Sequence, residues 1–292
     1  MTLVCAGEAF EDLIFIGLDH LPALGEEVKT DRFASTLGGG AVITAVKAAR
    51  LGMKTALVSA LSDAAVARLR KERLAITNLR KRGEPHAITA ALSTGPDRAF
   101  VTYNGVNAHL EDRLARALKA DRRKLRADRR RLKADHIHFC FFPHDCARWT
   151  RILARLRAAG ATTSWDFGWN EPLTGDRGLT GLVDALDFVF VNEHEAKLYT
   201  GTDTLAGAAA AWRARAAITI IKLGHAGAVW LAPDRDVHVE APLVKTVVDT
   251  TGAGDSFNAG FLVAWLRGKS PEACLAAGNR AGAASTRRPG GV

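Results

Sequence analysis

Residues 247–261 read VVDTTGAGDSFNAGF and hold the densest chemistry in the chain. An apolar strand pattern ends in Asp249-Thr250-Thr251, a Gly252-Ala253-Gly254 turn follows, and Asp255 stands before an apolar helix pattern. Small residues let backbone amides crowd against a ligand, and a helix N-terminus adds the positive end of its dipole. That combination is an anion hole suited to phosphoryl oxygens. A carboxylate at its mouth can accept a hydroxyl proton while the amides stabilise the group being transferred. The plain alternative is that Asp255 caps the helix. Capping does not require two glycines just before the cap. The chain carries no G-x-x-x-x-G-K-[ST], so the turn is not a P-loop.

Further candidates come from strand ends and loops. Asp166 and Asn170, in WDFGWN, follow a strand pattern, and the carboxyl ends of strands face the ligand crevice in α/β sheets. They are candidates for substrate or phosphate contact, or a turn acid and its neighbour. Arg98, within the hairpin pattern at 86–103, and Asn107 just after it are lid-side candidates; Arg98 is suited to an anionic substituent, or is simply exposed. His136, His138 and Cys140 alternate on one strand face, with His144 and Cys146 close behind. Structural zinc sites prefer paired ligands on tight turns, so an ordinary core strand is the better expectation.

The elements needed to position these groups are legible. Residues 3–7, 55–61, 136–142, 162–166, 188–191 and 218–223 read as buried strands. Helical patterns fall at 41–51, 63–73, 146–159, 178–186, 193–200, 205–215, 257–267 and 271–285. Strand and helix alternate after residue 136, which predicts a mostly parallel sheet covered by helices on both faces. Residues 228–231 and 237–239 form a hairpin-like pair. Strands within about 13–37 and 84–104, with a turn at Gly95-Pro96-Asp97, predict a small separate sheet acting as a lid on one α/β domain spanning 1–292.

Composition bounds the reading. The chain has 292 residues, 48% apolar and 24% charged, which excludes wholesale disorder. No apolar run reaches the roughly 18–20 residues of a membrane span, and the N-terminal residues do not read as a secretory signal. Cys5, Cys140, Cys146 and Cys274 form no CxxC pair, so a reducing cytoplasm is expected. The net charge of +9 is concentrated in residues 111–133, where Leu114, Leu118, Leu125 and Leu132 predict one apolar stripe on a solvated helix. Aromatic residues do not interleave with its arginines, which argues against nucleic acid as the partner.

The run DTTGAGDSFNAGF resembles the C-terminal signature of the ribokinase-like (PfkB) carbohydrate kinases. Other segments resemble the family in order from Gly7 to Gly291. The resemblance implies a ribokinase-like three-layer fold with a small β-sheet lid, and an ATP- and Mg²⁺-dependent sugar kinase. It implies that Asp255 is the catalytic base and that Gly252, Ala253 and Gly254 line the anion hole. Residues 7–12, GEAFED, resemble the family's first strand, whose final Asp, here Asp12, binds sugar hydroxyls. LGGGAVITAVKAARLG at 37–52 resembles the N-terminal glycine signature, placing Gly38, Gly39, Gly40 and Thr44 at the sugar. Asn192 and Glu195 match the Asn-Glu-x-Glu segment that orders Mg²⁺-bound water and phosphate; alone they read equally well as a helix cap and a first-turn acid. Lys222, Gly224 and Gly227 fall at the nucleotide turn, and Asn279 in the adenine region. Asp249 and Thr251 fall where the family holds a monovalent cation, K⁺.

Departures accompany the match. Ile43 occupies the usual position of a sugar-binding Asn, and Ile cannot hydrogen-bond a hydroxyl. Lys222 stands where many members have Thr. The family's Gly-Asp-Asp stretch is reduced to Leu61-Ser62-Asp63, and the sequence given stops at Val292, early after its Pro-Gly-Gly turn. These departures predict altered sugar selectivity and weaker nucleotide or cation dependence. A nucleoside kinase of the same superfamily, or a non-catalytic sugar or nucleotide sensor, are the rival expectations. A homodimer through the lid sheet is also expected.

Overall fold

The computed structural model describes residues 1–292 apart from 95–97, 120–125, 128–129, 132–133 and 289, with residues 98, 119, 126–127 and 130–131 described by backbone alone. In chain order the elements are β1 (Thr2–Gly7), β2 (Phe10–Leu18), β3 (Arg32–Gly38), α1 (Gly40–Arg50), β4 (Lys54–Ser59), α2 (Asp63–Leu69), β5 (Ala75–Asn78), β6 (Ile88–Thr94), β7 (Arg98–Tyr103) and α3 (Leu110–Lys119). The short pair β8 (Arg126–Ala127) and β9 (Arg130–Arg131) follows, then β10 (His136–Cys140), α4 (Cys146–Ala158), β11 (Thr162–Asp166), α5 (Leu179–Asp184), β12 (Phe188–Asn192), α6 (Glu193–Thr200) and α7 (Leu205–Arg213). The chain closes with β13 (Ile218–Lys222), β14 (Ala228–Ala232), β15 (Arg235–Val239), α8 (Ala253–Leu266) and α9 (Pro271–Ser285).

Nine strands form one sheet in the order β15-β14-β13-β12-β11-β10-β1-β4-β5. All neighbours are parallel from β5 to β13, and β14 and β15 run antiparallel at the far edge. Both faces are buried, so successive strand residues feed two cores. Leu3, Cys5, Phe188, Phe190 and Ile220 pack with α1, α2, α8 and α9, whereas Val4, Ala6, Phe139, Trp165 and Val191 pack with α3 to α7. This is the three-layer α/β arrangement expected of near-continuous apolar strands.

Parallel strands bring their carboxyl ends to one edge. Gly7, Cys140, Asp166, Asn192 and Lys222 are the last residues of β1, β10, β11, β12 and β13, so the sheet itself lines up the chemistry. A second sheet, β3-β2-β6-β7, stands on the connections after β1 and β5. It begins at Phe10, three residues before the expected start, so Asp12 belongs to this sheet and not to the first strand.

Two expectations are corrected. Among the described residues the helix of the basic segment spans Leu110–Lys119, and Arg126–Ala127 pairs with Arg130–Arg131 as antiparallel strands. Arg126 and Arg130 stand four residues apart, and like charges at that spacing oppose a helix. Leu114 is buried and Leu118 half-buried, while Leu125 and Leu132, like the turn at 95–97, lie outside the described residues. The helix expected at 257 starts at Ala253, so the glycine turn is its first turn.

His136 and His138 are core residues. Both accept or donate to the Ser164 hydroxyl at 2.7 Å, and their rings meet Phe188, Phe190 and Trp265 edge-on. Burial holds His138 down at about 4, so it packs as a neutral ring. Among the described residues no three metal-ligating side chains converge.

Candidate active site

Gly252, with φ 70°, is the N-cap of α8, and no side chain caps this helix end. Asp255 therefore sits in the first turn and is not the cap. The Ala253 amide reaches the Thr250 carbonyl and the Ser256 amide the Gly252 carbonyl, whereas the Gly254 and Asp255 amides reach no carbonyl among the described residues. Two orphan donors at a dipole's positive end remain for a ligand.

The N-terminal glycines bring a second element against this turn. A side chain on Gly38 would collide with the Asp12 carboxylate, and one on Gly40 would begin 2.8 Å from Asp255 Oδ1. Only glycine lets the chain pass between these two acids. Asp12 is 8% exposed, and burial with the charges of Glu11, Asp255 and Asp249 pushes it up to about 7. Burial and Asp166 push Asp255 up to about 6, against the opposing effect of Lys222.

Asp166 is the centre of a buried cluster. Its Oδ2 accepts from Lys222 Nζ at 2.6 Å and from Asn258 Nδ2 at 2.7 Å, and its Oδ1 accepts from the Gly168 amide at 3.2 Å. Burial opposes its charge, but Lys222 and Asn258 outweigh burial and hold the carboxyl below the usual range. Both oxygens are thus engaged by the chain, and Asp166 organises the site. Asn170 caps the following short helix, accepting from the Leu173 amide at 2.9 Å.

Asn192 and Glu195 form a reciprocal capping box at the start of α6, each backbone amide donating to the other's side chain at 2.8 Å. Glu195 is nonetheless 6% exposed, and burial with Asp166 raises it to about 7. Asp249 ties the turn together: Oδ1 accepts from the Thr251 amide and hydroxyl, and Oδ2 from the Gly290 amide at 2.7 Å.

Beside the α8 turn lies a cavity of about 530 Å³ lined by Lys222, Gly224, Gly227, Gly254, Phe257 and Asn279, among others. Its apolar walls and its contact with Gly254, one of the two orphan-amide residues, suit a purine joined to phosphates. Asn279 donates to the Val239 and Glu240 carbonyls, fixing the wall between α9 and the end of β15.

Two expected sugar residues, Thr44 and Arg98, are placed differently. Thr44 is fully buried, and its hydroxyl donates to the Asp255 carbonyl at 3.2 Å, so it positions the Asp255 backbone. Ile43 packs on Gly252 and Gly291 and supports the turn. Arg98 pairs with Ser93, four ladder positions from Thr89, the partner of Asp12; that is about 13 Å along a strand. Asn107 is buried, donates to the Ala9 carbonyl at 3.1 Å, and leaves Oδ1 without a partner among the described residues. Sequence reading missed Asn258. It lies three residues after Asp255, which places both on one helix face.

The family profile described as pfkB family carbohydrate kinase matches residues 2–292. The chain belongs to that family. It is therefore a phosphotransferase, a sugar or nucleoside kinase, and membership implies ATP as the phosphoryl donor. It is 28% identical to a ribokinase of Bacillus subtilis, over 98% of this chain and 93% of that protein. It is 52% identical to an uncharacterized sugar kinase of Archaeoglobus fulgidus, over 21% of this chain and 24% of that protein, so this match spans about a quarter of the relative. The structure superposes on a Burkholderia thailandensis nucleoside kinase in complex with inosine at a TM-score of 0.77 and 18% identity, covering 100% of this chain and 93% of that one. This likeness shows the fold, which is ribokinase-like. Among the described residues no helix is long and apolar enough to cross a membrane.

Proposed function

We propose that the protein is an ATP-dependent sugar kinase in which Asp255 takes the proton of a primary hydroxyl on a small carbohydrate. One observation carries this reading: a half-buried carboxylate, raised to about 6, stands beside two orphan amides in the first turn of α8. A base poised near neutral pH suits proton abstraction, and the amides suit the charge that spreads over the phosphoryl oxygens. Gly252, Ala253 and Gly254 form that hole.

In this reading Asp12 and the Asn107 Oδ1 accept hydrogen bonds from sugar hydroxyls, with Gly38, Gly39 and Gly40 giving close approach. Asp166 holds the floor of the site, and Arg98 acts at most at the rim. The cavity holds the nucleotide, with Lys222, Gly224, Gly227 and Asn279 against it. As the acceptor oxygen bonds to the γ-phosphorus, its proton passes to Asp255. The bond from that phosphorus to the β–γ bridging oxygen breaks, and ADP leaves with the electron pair. Magnesium, when bound with ATP, supplies charge neutralisation on the phosphates. Glu195 and Asn192 suit it through water, since a buried acid beside two other acids favours a nearby cation. Asp249 and Thr251 suit a monovalent ion such as K⁺ beside the turn they fasten.

The four-stranded sheet is the lid on a single domain, closing over the sugar and excluding water so that phosphate is not lost to hydrolysis. Its outer face exposes Phe33, Ile88, Val101 and Tyr103, which supports a homodimer through that sheet. All four cysteines are free and buried, which suits the cytoplasm.

A nucleoside acceptor is the second reading, supported by 30% identity to a nucleoside kinase of Methanocaldococcus jannaschii over 38% of this chain and 36% of that protein. The test is ADP release with ATP, Mg²⁺ and K⁺ across ketoses, aldoses, sugar acids and nucleosides. Turnover with a sugar supports the proposal, and turnover confined to nucleosides selects the second reading. No turnover, with ATP or sugar still bound by calorimetry, replaces both with a sensor.

A further inference from the structure

Lys222 ends β13, side by side with Asn192 at the end of β12, and lines the nucleotide cavity. Its Nζ lies 3.2 Å from the point where a side chain on Gly254 would begin, directly over the α8 turn. The same Nζ is 2.6 Å from Asp166 Oδ2, and that oxygen also accepts from Asn258 Nδ2 at 2.7 Å. Asp166, Glu195 and Asp255 all act on this one ammonium. Their charges together exceed what it can neutralise, so the ammonium is shared among three acids and is not committed to Asp166 alone.

We propose that Lys222 is a catalytic residue, a mobile cation held by Asp166 in the empty site and passed to the transferring phosphoryl group during reaction. The inference rests on reading the α8 turn as the phosphoryl site. A lysine suits the role because its ammonium is a compact charge on a flexible stem. Asn258 makes the release affordable, since it continues to donate to Asp166 after Lys222 leaves. Lys222 stays protonated throughout and changes only its hydrogen-bond acceptor, while the proton of the substrate hydroxyl goes to Asp255 and the electron pair of the broken P–O bond leaves with ADP. A lysine placed only to neutralise Asp166 has no need to overhang the orphan amides.

The test separates transition-state from ground-state binding. Affinities for ADP alone, and for ADP with aluminium fluoride and the acceptor, are measured by calorimetry on the wild type, Lys222→Met, Lys222→Arg and Lys222→Met/Asp166→Asn. The double variant removes both charges, so no uncompensated carboxylate remains to destabilise the fold, and melting temperature reports its integrity. The expected result for Lys222→Met is a change within about threefold for ADP and a loss of about 10²–10³-fold for the fluoride complex, with kcat falling in step. Lys222→Arg recovers part of that loss. The double variant melts near the wild type yet still binds the fluoride complex weakly. Equal losses for ADP and the fluoride complex overturn the proposal, as does a double variant that regains both. A wild type that binds neither ligand defeats the kinase reading itself, and the inference with it.

Discussion

Replacing Gly40 with alanine tests whether the backbone of α1 sets the position of Asp255. The new methyl would begin 2.8 Å from Asp255 Oδ1 and 3.0 Å from the Cys140 Cβ. Ordinary contact begins at 3.4 Å, so the carboxylate must retreat by about 0.6 Å or the helix must shift. Neither neighbour yields easily: Cys140 ends a central strand, and the Asp255 carbonyl accepts from Thr44 on α1 itself. A misplacement of about 1 Å costs about 10²-fold in rate, so a loss of about 10–10²-fold in kcat/KM is expected. Overpacking should also cost about 1–3 kcal/mol of stability. The assay is steady-state ADP release with the best acceptor from the panel, beside a thermal melt. Gly181→Ala in α5 is the control, because nothing lies within 4 Å of its added methyl. Activity within twofold of wild type for Gly40→Ala would refute the claim that this approach positions the base.

Three further outcomes follow from the same geometry. Asp255 must be ionised to accept a proton, so kcat/KM falls as pH drops through about 6; Asp166→Asn removes a charge that raises Asp255, and the acid limb of the profile shifts to lower pH. Asp12, raised to about 7, binds its proton more tightly in the fold than in the unfolded chain, whose carboxyl sits near 4. Its contribution therefore turns unfavourable as pH rises from about 4 through 7, so Asp12→Asn raises the melting temperature at pH 8 more than at pH 4. Asn258→Leu leaves buried Asp166 with one donor fewer and costs about 1–3 kcal/mol in a denaturant titration.

Local pattern carried much of this architecture. The parallel strands from 136 onward alternate with helices at the expected places, because two-sided burial writes apolar runs and Gly ends write caps. The α8 turn was legible because glycines beside an acid have few other uses. What stayed hidden depends on tertiary register. Thr44 reads as a polar group near sugar, but the packing of α1 on α8 turns its hydroxyl to a backbone carbonyl. Arg98 reads as a neighbour of the site, but the ladder sets it four positions away from Asp12. The Lys222–Asp166–Asn258 cluster joins residues 56 and 92 positions apart, which no local spacing reveals. The basic stripe holds at Leu114 and Leu118 but not at Arg126–Ala127 and Arg130–Arg131, because leucine spacing alone ignores like-charge repulsion along the same helix.

The central claim is that Asp255 performs the proton transfer while contributing little to ATP binding. The direct measurement is single-turnover phosphoryl transfer by Asp255→Asn, with ATP affinity measured on the same sample. The account predicts a rate lower by about 10²–10⁴-fold with ATP affinity within a few fold of wild type. An Asp255→Asn protein that transfers phosphate within tenfold of the wild-type rate would contradict it.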